Sequence, residues 1–284
     1  ASWADRGQVF PAEGERRGRV ALLNGCAQQV VAPEINEATI RVLTRHGIEV
    51  VVTREQGCCG ALVQHMGHED AAREQAKRNV AAWYREARDN GLDAVVINTS
   101  GCGTTVKDYA HLLRHDPEWQ DWAAHVGNLA KDVSEVLAQF GIGPPVRTTD
   151  LRVTYHSACS MQHGQGLTRG PQQLLKDAGF AVRDVPESHI CCGSAGVYNL
   201  LQPEIATQLR DRKVANIGKT APDVVATGNV GCITQIASGT DVPICHTVEL
   251  LDWATGGPKP KALADVAVTE YPAAVAEAPA KAAE

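Results

Sequence analysis

The sequence predicts an α/β protein of two tandem repeats, each a small parallel sheet flanked by helices with cysteines at the C-terminal edge of its strands. Three observations lead to that prediction. Short runs of apolar and β-branched residues alternate with amphipathic helical stretches. The tripeptide Cys-Cys-Gly occurs twice, at Cys58-Cys59-Gly60 and Cys191-Cys192-Gly193. Each copy has a lone cysteine well before it and another well after it, at a nearly constant offset between the halves.

Residues 1–18 carry Gly7, Pro11, Gly14, Gly18 and the Arg16-Arg17 pair but no hydrophobic face, and are expected to be a linker or extended arm. The first repeat is expected over residues 19–143. Arg19 to Leu23 reads as a short buried strand that breaks at Asn24-Gly25 and delivers Cys26. Pro33 suits the first turn of a helix, and the apolar spacing of Ile35, Ala38 and Val42 runs on until Gly47. Ile48 to Val52 is a second strand, ahead of Cys58-Cys59-Gly60. From His68 to Asn90 the residues Ala72, Ala76, Val80, Trp83 and Ala87 share one helical face, and Gly91 is placed to cap it. Ala94 to Ile97 is a third strand leading to Cys102. A helical, partly aromatic region with Trp119 and Trp122 continues to Phe140, and Gly141-Ile142-Gly143-Pro144-Pro145 is the clearest boundary in the chain.

The second repeat is expected over residues 144–256. Leu151 to Tyr155 is a strand delivering Cys159, and Gln172 to Ala178 a helix ended by Gly179. Phe180 to Val185 is a strand ahead of Cys191-Cys192-Gly193. Pro203 opens a long helix that Gly218 closes, and Val224 to Ala226 is a strand leading to Gly231-Cys232. Val242 to Ile244 adds a strand, and Val248 to Trp253 a short helix. Residues 257–284, rich in Pro, Ala and charge, are expected to be a disordered tail.

With 44% hydrophobic and 21% charged residues the composition is that of a globular protein, and 284 residues are enough for two compact units. A net charge of -6 argues against a nucleic-acid binder, which needs a basic patch. No run approaches the roughly 18 apolar residues of a membrane helix, so no membrane span is expected. The polar N-terminal stretch lacks an apolar signal core, which predicts a reducing, cytoplasmic setting. There, nine spaced cysteines suggest metal or redox chemistry more than structural disulfides.

The repeat can be measured. Cys26 to Cys159, Cys58 to Cys191 and Cys59 to Cys192 are each 133 positions apart, and Cys102 to Cys232 and Asp93 to Asp223 are each 130. In an alternating strand–helix chain the strands run parallel, and ligands bind beyond their carboxyl ends. Since Cys26, Cys58, Cys59 and Cys102, and likewise Cys159, Cys191, Cys192 and Cys232, all follow predicted strands, four thiols should converge in each half. Four thiolates can hold an iron–sulfur cluster or a tetrahedral zinc ion. Short C-x-x-C spacing is missing, so neither the zinc-ribbon pattern nor the bacterial ferredoxin run is present. Glycines beside the thiols let the backbone approach closely and direct N–H groups at sulfur.

Other residues invite a role. His156 and His163 flank Cys159, His189 precedes Cys191, and His65 and His68 follow Cys59. Each is placed to be a ligand, a proton carrier or a partner to sulfur, although a neutral loop-capping histidine is the commoner case. Cys245 has no twin among the first four cysteines and falls at the end of a predicted strand, as a buried structural thiol would. Gly164-Gln165-Gly166 with Gly170 misplaces the third glycine of a dinucleotide fingerprint. Trp119 and Trp122 suit either a partner surface or helix packing.

A lone Cys, then Cys-Cys-Gly, then a last Cys, present twice, resembles the cysteine-rich CCG domain found in heterodisulfide reductase and in the iron–sulfur subunits of flavin-linked dehydrogenases. Asn24-Gly25-Cys26-Ala27-Gln28, Gly57-Cys58-Cys59-Gly60-Ala61, Ser100-Gly101-Cys102-Gly103, His163-Gly164-Gln165, Cys192-Gly193-Ser194-Ala195-Gly196-Val197-Tyr198-Asn199 and Val248-Glu249-Leu250-Leu251 are similar to the glycolate oxidase iron–sulfur subunit family. That resemblance covers Arg19 to Trp253. It implies an electron-transfer subunit that takes electrons from flavin-containing dehydrogenase subunits oxidising glycolate to glyoxylate and passes them to an acceptor such as the quinone pool. The setting implied is cytoplasmic or peripheral on the inner face of the membrane. Cys26, Cys58, Cys59, Cys102, Cys159, Cys191, Cys192 and Cys232 carry over as cluster ligands, for one or two clusters of [4Fe-4S] type. Thr99 and Asn229 stand where heterodisulfide reductase has the first cysteine of a last C-x-x-C, so four-thiol ligation, or zinc in one repeat, is implied instead of five-thiol ligation. Members of this type also carry an N-terminal ferredoxin-like domain, which is expected here as a separate domain or polypeptide. The alternatives within reach are a heterodisulfide-reductase-like thiol/disulfide oxidoreductase, a lactate-utilisation or glycerol-3-phosphate dehydrogenase iron–sulfur subunit, and a zinc-stabilised docking scaffold.

Overall fold

The computed structural model describes residues 2–272. Its strands are β1 (Gln8–Phe10), β2 (Gly18–Leu22), β3 (Ile48–Val52), β4 (Ala94–Ile97), β5 (Ala130–Asp132), β6 (Arg147–Thr149), β7 (Arg152–His156), β8 (Ala181–Asp184), β9 (Val224–Thr227), β10 (Ile244–His246) and β11 (Glu270–Pro272). The first sheet has the order β1-β3-β2-β4-β5 and the second β10-β9-β7-β8. Apart from β1, which runs antiparallel to β3, every pairing in the two sheets is parallel. The run β3-β2-β4-β5 is therefore matched, strand for strand, by β8-β7-β9-β10. This is the expected fold class, with the helices packed on the sheets.

The repeat extends to hydrogen bonds. Arg19 N–H donates to Asp93 Oδ2 at 2.8 Å, and Arg152 N–H donates to Asp223 Oδ2 at 2.7 Å, each at the start of a central strand. β5 ends in Asp132 and β10 in His246, and both residues cap the helix that follows. Asp132 Oδ1 accepts from Ser134 N–H at 2.9 Å while Glu135 reaches back to Asp132 N–H; His246 Nδ1 accepts from Val248 N–H at 3.0 Å while Glu249 reaches back to His246 N–H. Two reciprocal capping boxes thus mark equivalent points in the halves.

Several segments differ from the sequence-based expectation. The stretch before Arg19 is not only an arm, because β1 pairs with β3 and Ala4 is fully buried. The region expected to stay helical through Phe140 breaks at β5, a three-residue edge strand of Ala, Lys and Asp with no β-branched residue to announce it. Of the expected disordered tail, residues 257–272 are ordered: Leu263 is buried and β11 pairs with β6. The remainder, 273–284, lies outside the described residues. Between Cys102 and β5 the first half carries two extra helices, Tyr109–Leu112 and Gln120–Leu129, absent from the second. Trp122 stacks on Tyr84 of the Glu69–Asn90 helix at 4.7 Å, and Trp119 packs edge-on to Trp122 at 5.5 Å, so helix packing accounts for both tryptophans.

The halves share one core. Val20, Leu22, Ile35 and Leu43 from the first pack in a single buried cluster with Tyr155, Leu174, Val248 and Trp253 from the second. Across it, the Glu34–Arg45 helix meets the Thr247–Ala254 helix, where Arg41 and Arg45 bond the buried Asp252 carboxylate at 2.8 and 2.9 Å. No helix among the described residues is long and apolar enough to cross a membrane.

Candidate metal centre

All eight repeated cysteines line one cleft of about 590 Å³ between the halves. Within each sheet β2, β3 and β4, and β7, β8 and β9, run parallel, so the cysteines that follow them gather at one edge of their sheet and reach the cleft. Cys26 follows β2 after Gly25, whose φ of +74° turns the chain. Cys102 and Cys232 are each the third residue of an eight-residue helix, Ser100–Lys107 and Val230–Ala237, where exposed N–H groups and the helix dipole favour a thiolate. In the middle of each set, Gly60 has φ +90° and Gly193 φ +92°. A Cβ on Gly193 would lie 2.3 Å from the Ala206 carbonyl oxygen, and one on Gly60 3.2 Å from the Ala72 carbonyl oxygen. The glycine of each tripeptide is thus demanded by the helix behind it as well as by its own backbone angle.

Within the sets, Cys26 and Cys58 sulfurs lie 3.4 Å apart, Cys159 and Cys191 3.9 Å, and Cys192 and Cys232 3.4 Å. These separations exceed a disulfide bond of about 2.05 Å, and all nine cysteines are free thiols. Behind the first pair, the buried Asn79 accepts from Gly57 N–H at 2.8 Å and donates to the Cys58 carbonyl at 2.9 Å, while the Tyr109 hydroxyl donates to the Cys59 carbonyl at 2.9 Å. Neither residue stands out in the sequence.

The second set has a different polar environment. Gly193 N–H donates to Cys191 Sγ at 3.3 Å, and Asn229 Nδ2 donates to Cys232 Sγ at 3.3 Å. Asn229 Oδ1 in turn accepts from Gly101 N–H at 3.5 Å, tying the two cysteine helices together. The corresponding Thr99 hydroxyl instead donates to Gln28. Contact with the Cys159 thiol, with help from Cys192 and the Gly193 N–H, pushes Cys191 below the usual thiol range. Contact with the Cys192 thiol does the same for Cys232, against the cost of burial. Cys26 in the first set is pushed up by its contact with Cys58 and by burial, as Cys159 in the second is by its contact with Cys191 and by burial. Lys213, 1% exposed, donates to the Glu187 carbonyl at 3.1 Å, and burial pulls its pKa down despite the nearby thiols.

The histidines part company. His156, at the end of β7, is 1% exposed, and one of its ring nitrogens lies within 4.8 Å of the Cys192 and Cys232 sulfurs. His65 lines the cleft mouth. His163 bonds the His189 carbonyl at 3.1 Å on the surface, and His68 begins the Glu69–Asn90 helix, so His163, His189 and His68 are not brought to the thiols. Gln165 of the His163-Gly164-Gln165 motif donates to the Ser100 carbonyl at 2.9 Å, a contact between halves. Cys245 lies buried in β10, away from the cleft. Each set of four thiols, with adjacent N–H donors, has the donor chemistry for a zinc ion or an iron–sulfur cluster.

Comparison with known proteins agrees with this geometry. A family model described as a cysteine-rich domain, CCG, matches residues 20–107 and again 153–237. The glycolate oxidase iron-sulfur subunit of Escherichia coli is 38% identical over 236 residues, covering 83% of this chain and 58% of that one. A probable glycolate oxidase iron-sulfur subunit of Bacillus subtilis is 34% identical over 261 residues, covering 88% of this chain and 58% of that one. Lactate utilization protein A of Oceanobacillus iheyensis is 27% identical over 241 residues, covering 82% of this chain and 96% of that one. The chain thus spans a little over half the length of the two glycolate oxidase relatives.

Proposed function

The chain belongs to the cysteine-rich CCG domain family, and from that premise we propose that it is an iron–sulfur electron-transfer subunit of a flavin-dependent 2-hydroxy-acid dehydrogenase. Glycolate oxidation to glyoxylate is the reaction proposed for the assembled complex. The observation that carries this reading is the placement of two four-thiol sets on one cleft, in a chain 38% identical to a glycolate oxidase iron-sulfur subunit.

Cys26, Cys58, Cys59 and Cys102 would hold one centre, and Cys159, Cys191, Cys192 and Cys232 the other. A [4Fe-4S] cluster bound there supplies one-electron steps between a flavin and an acceptor such as the quinone pool. The chain's own part is to hold thiolates at helix N-termini, direct the Gly193 and Asn229 N–H groups at sulfur and bury Cys59, Cys192 and Cys232. The hydroxy acid would bind a flavin-containing partner subunit, in a cytoplasmic complex or one peripheral to the inner face of the membrane. Adding glycolate anaerobically to the complex copurified with its flavin subunits should reduce the clusters of this chain, read by EPR. Flavin reduction without any change in the cluster signal would refute the relay.

A further inference from the structure

We propose that His156 is a nitrogen ligand of the second centre, so that the two halves hold chemically different metal sites. The inference rests on the reading that the thiol sets bind metal.

His156 ends β7 with its ring buried, neither Nδ1 nor Nε2 makes a hydrogen bond of ordinary geometry, and the polar group it faces is the Cys232 thiol. A buried imidazole that leans on a thiol without a well-formed bond is poorly compensated for its lost hydration, unless a group absent from the protein atoms bonds both. The ring is aimed at such a group. Its nitrogen and the sulfurs of Cys192 and Cys232 all lie within 4.8 Å of one another, and all three residues are buried. One metal ion bonding all three, at about 2.0 Å to nitrogen and about 2.3 Å to sulfur, needs each nitrogen–sulfur pair to close to about 3.5–4.3 Å, which is within side-chain adjustment.

The first half has no counterpart. Position 23, 133 residues earlier, is Leu23, 2% exposed and packed in the apolar cluster with Cys59. A second difference points the same way. Asn79 stands seven residues after Ala72 as Lys213 stands seven after Ala206, so a neutral amide behind the first set is matched by a buried ammonium behind the second. Nitrogen ligation and a nearby cation both stabilise the reduced, more negative state of a redox centre. In Rieske-type centres, histidine in place of cysteine raises the potential. The second half is thereby assigned as the higher-potential end of the chain, where electrons leave.

The test uses the whole chain, purified anaerobically with its native metal. X-ray absorption at the edge of the bound metal should show imidazole outer-shell scattering beside the sulfur shell. For a paramagnetic centre, pulsed EPR should show a nitrogen coupling that changes on 15N-histidine labelling. His156→Leu, which installs the residue of the first half, should abolish both signatures and lower one midpoint potential while leaving the other centre's spectrum intact. The labelling arm needs no variant and stands even if His156→Leu fails to fold. Metal bound with an all-sulfur shell and no histidine coupling would overturn the inference alone. A nitrogen signal that survives in His156→Leu would do the same. A chain that binds no metal would overturn the metal reading, and this inference with it.

Discussion

At the residue scale, the glycine of each Cys-Cys-Gly is held by two independent constraints. Gly193 sits at φ +92°, and any Cβ there meets the Ala206 carbonyl oxygen at 2.3 Å. Because that neighbour is helix backbone, it cannot swing aside. Gly193→Ala should therefore destabilise the fold by about 1–3 kcal/mol through strain and overpacking. Chemical denaturation measures this, and an unchanged midpoint would contradict the account. The eight cysteines were legible because their spacing repeats. The supporting residues were not: Asn79, Tyr109 and Lys213 read as ordinary helix positions until tertiary packing brings them behind the thiols. In the sequence His156 is marked only by its proximity to Cys159, and its burial beside Cys192 and Cys232 is a tertiary fact.

At the scale of elements, the strands ending in Asp132 and His246 organise the far side of each sheet through their capping boxes. Glu249, in the second box, is pushed up to about 7 by burial, opposed by the hydrogen bond it accepts from His246 N–H. A carboxyl raised in the folded state binds its proton more tightly there than in the unfolded chain. Stability from this group is therefore fully present below its ordinary pKa and lost as pH rises from about 4.5 to about 7. Glu249→Gln keeps an acceptor for His246 N–H but cannot ionise. Relative to that variant, the wild type should lose up to about 3 kcal/mol between acid and neutral pH. Paired denaturation curves across that range check it, and a pH-independent difference would count against the buried-carboxylate reading. The core strands and long helices were legible because Ile48–Val52 and Ala94–Ile97 are short, nearly continuous apolar runs and Pro203–Gly218 is bounded by proline and glycine. β1, β5, β6 and β11 were not, since three-residue edge strands have too few residues to carry a period.

At the scale of the whole molecule, two half-sites face one cleft because the halves are locked by a common core and by Asp252. That carboxylate is 1% exposed and bonded by both Arg41 and Arg45 from the other half. Asp252→Ala should cost about 3 kcal/mol, the low end for a broken buried pair because both guanidinium groups keep some access to water. It should also loosen the cleft, which thermal unfolding and hydrogen exchange at the Glu34–Arg45 helix would register. Exchange and melting identical to wild type would mean that the apolar core alone joins the halves. The sequence carries the duplication plainly, yet nothing in either repeat states how the two copies face each other. The most direct measurement of the central claim is iron and acid-labile sulfide content, with EPR, of the anaerobically purified chain beside Cys58→Ser/Cys59→Ser and Cys191→Ser/Cys192→Ser variants. Brown protein containing both elements is expected, with cluster content falling when a cluster-bearing set is disrupted. Colourless protein carrying zinc and no sulfide would contradict it.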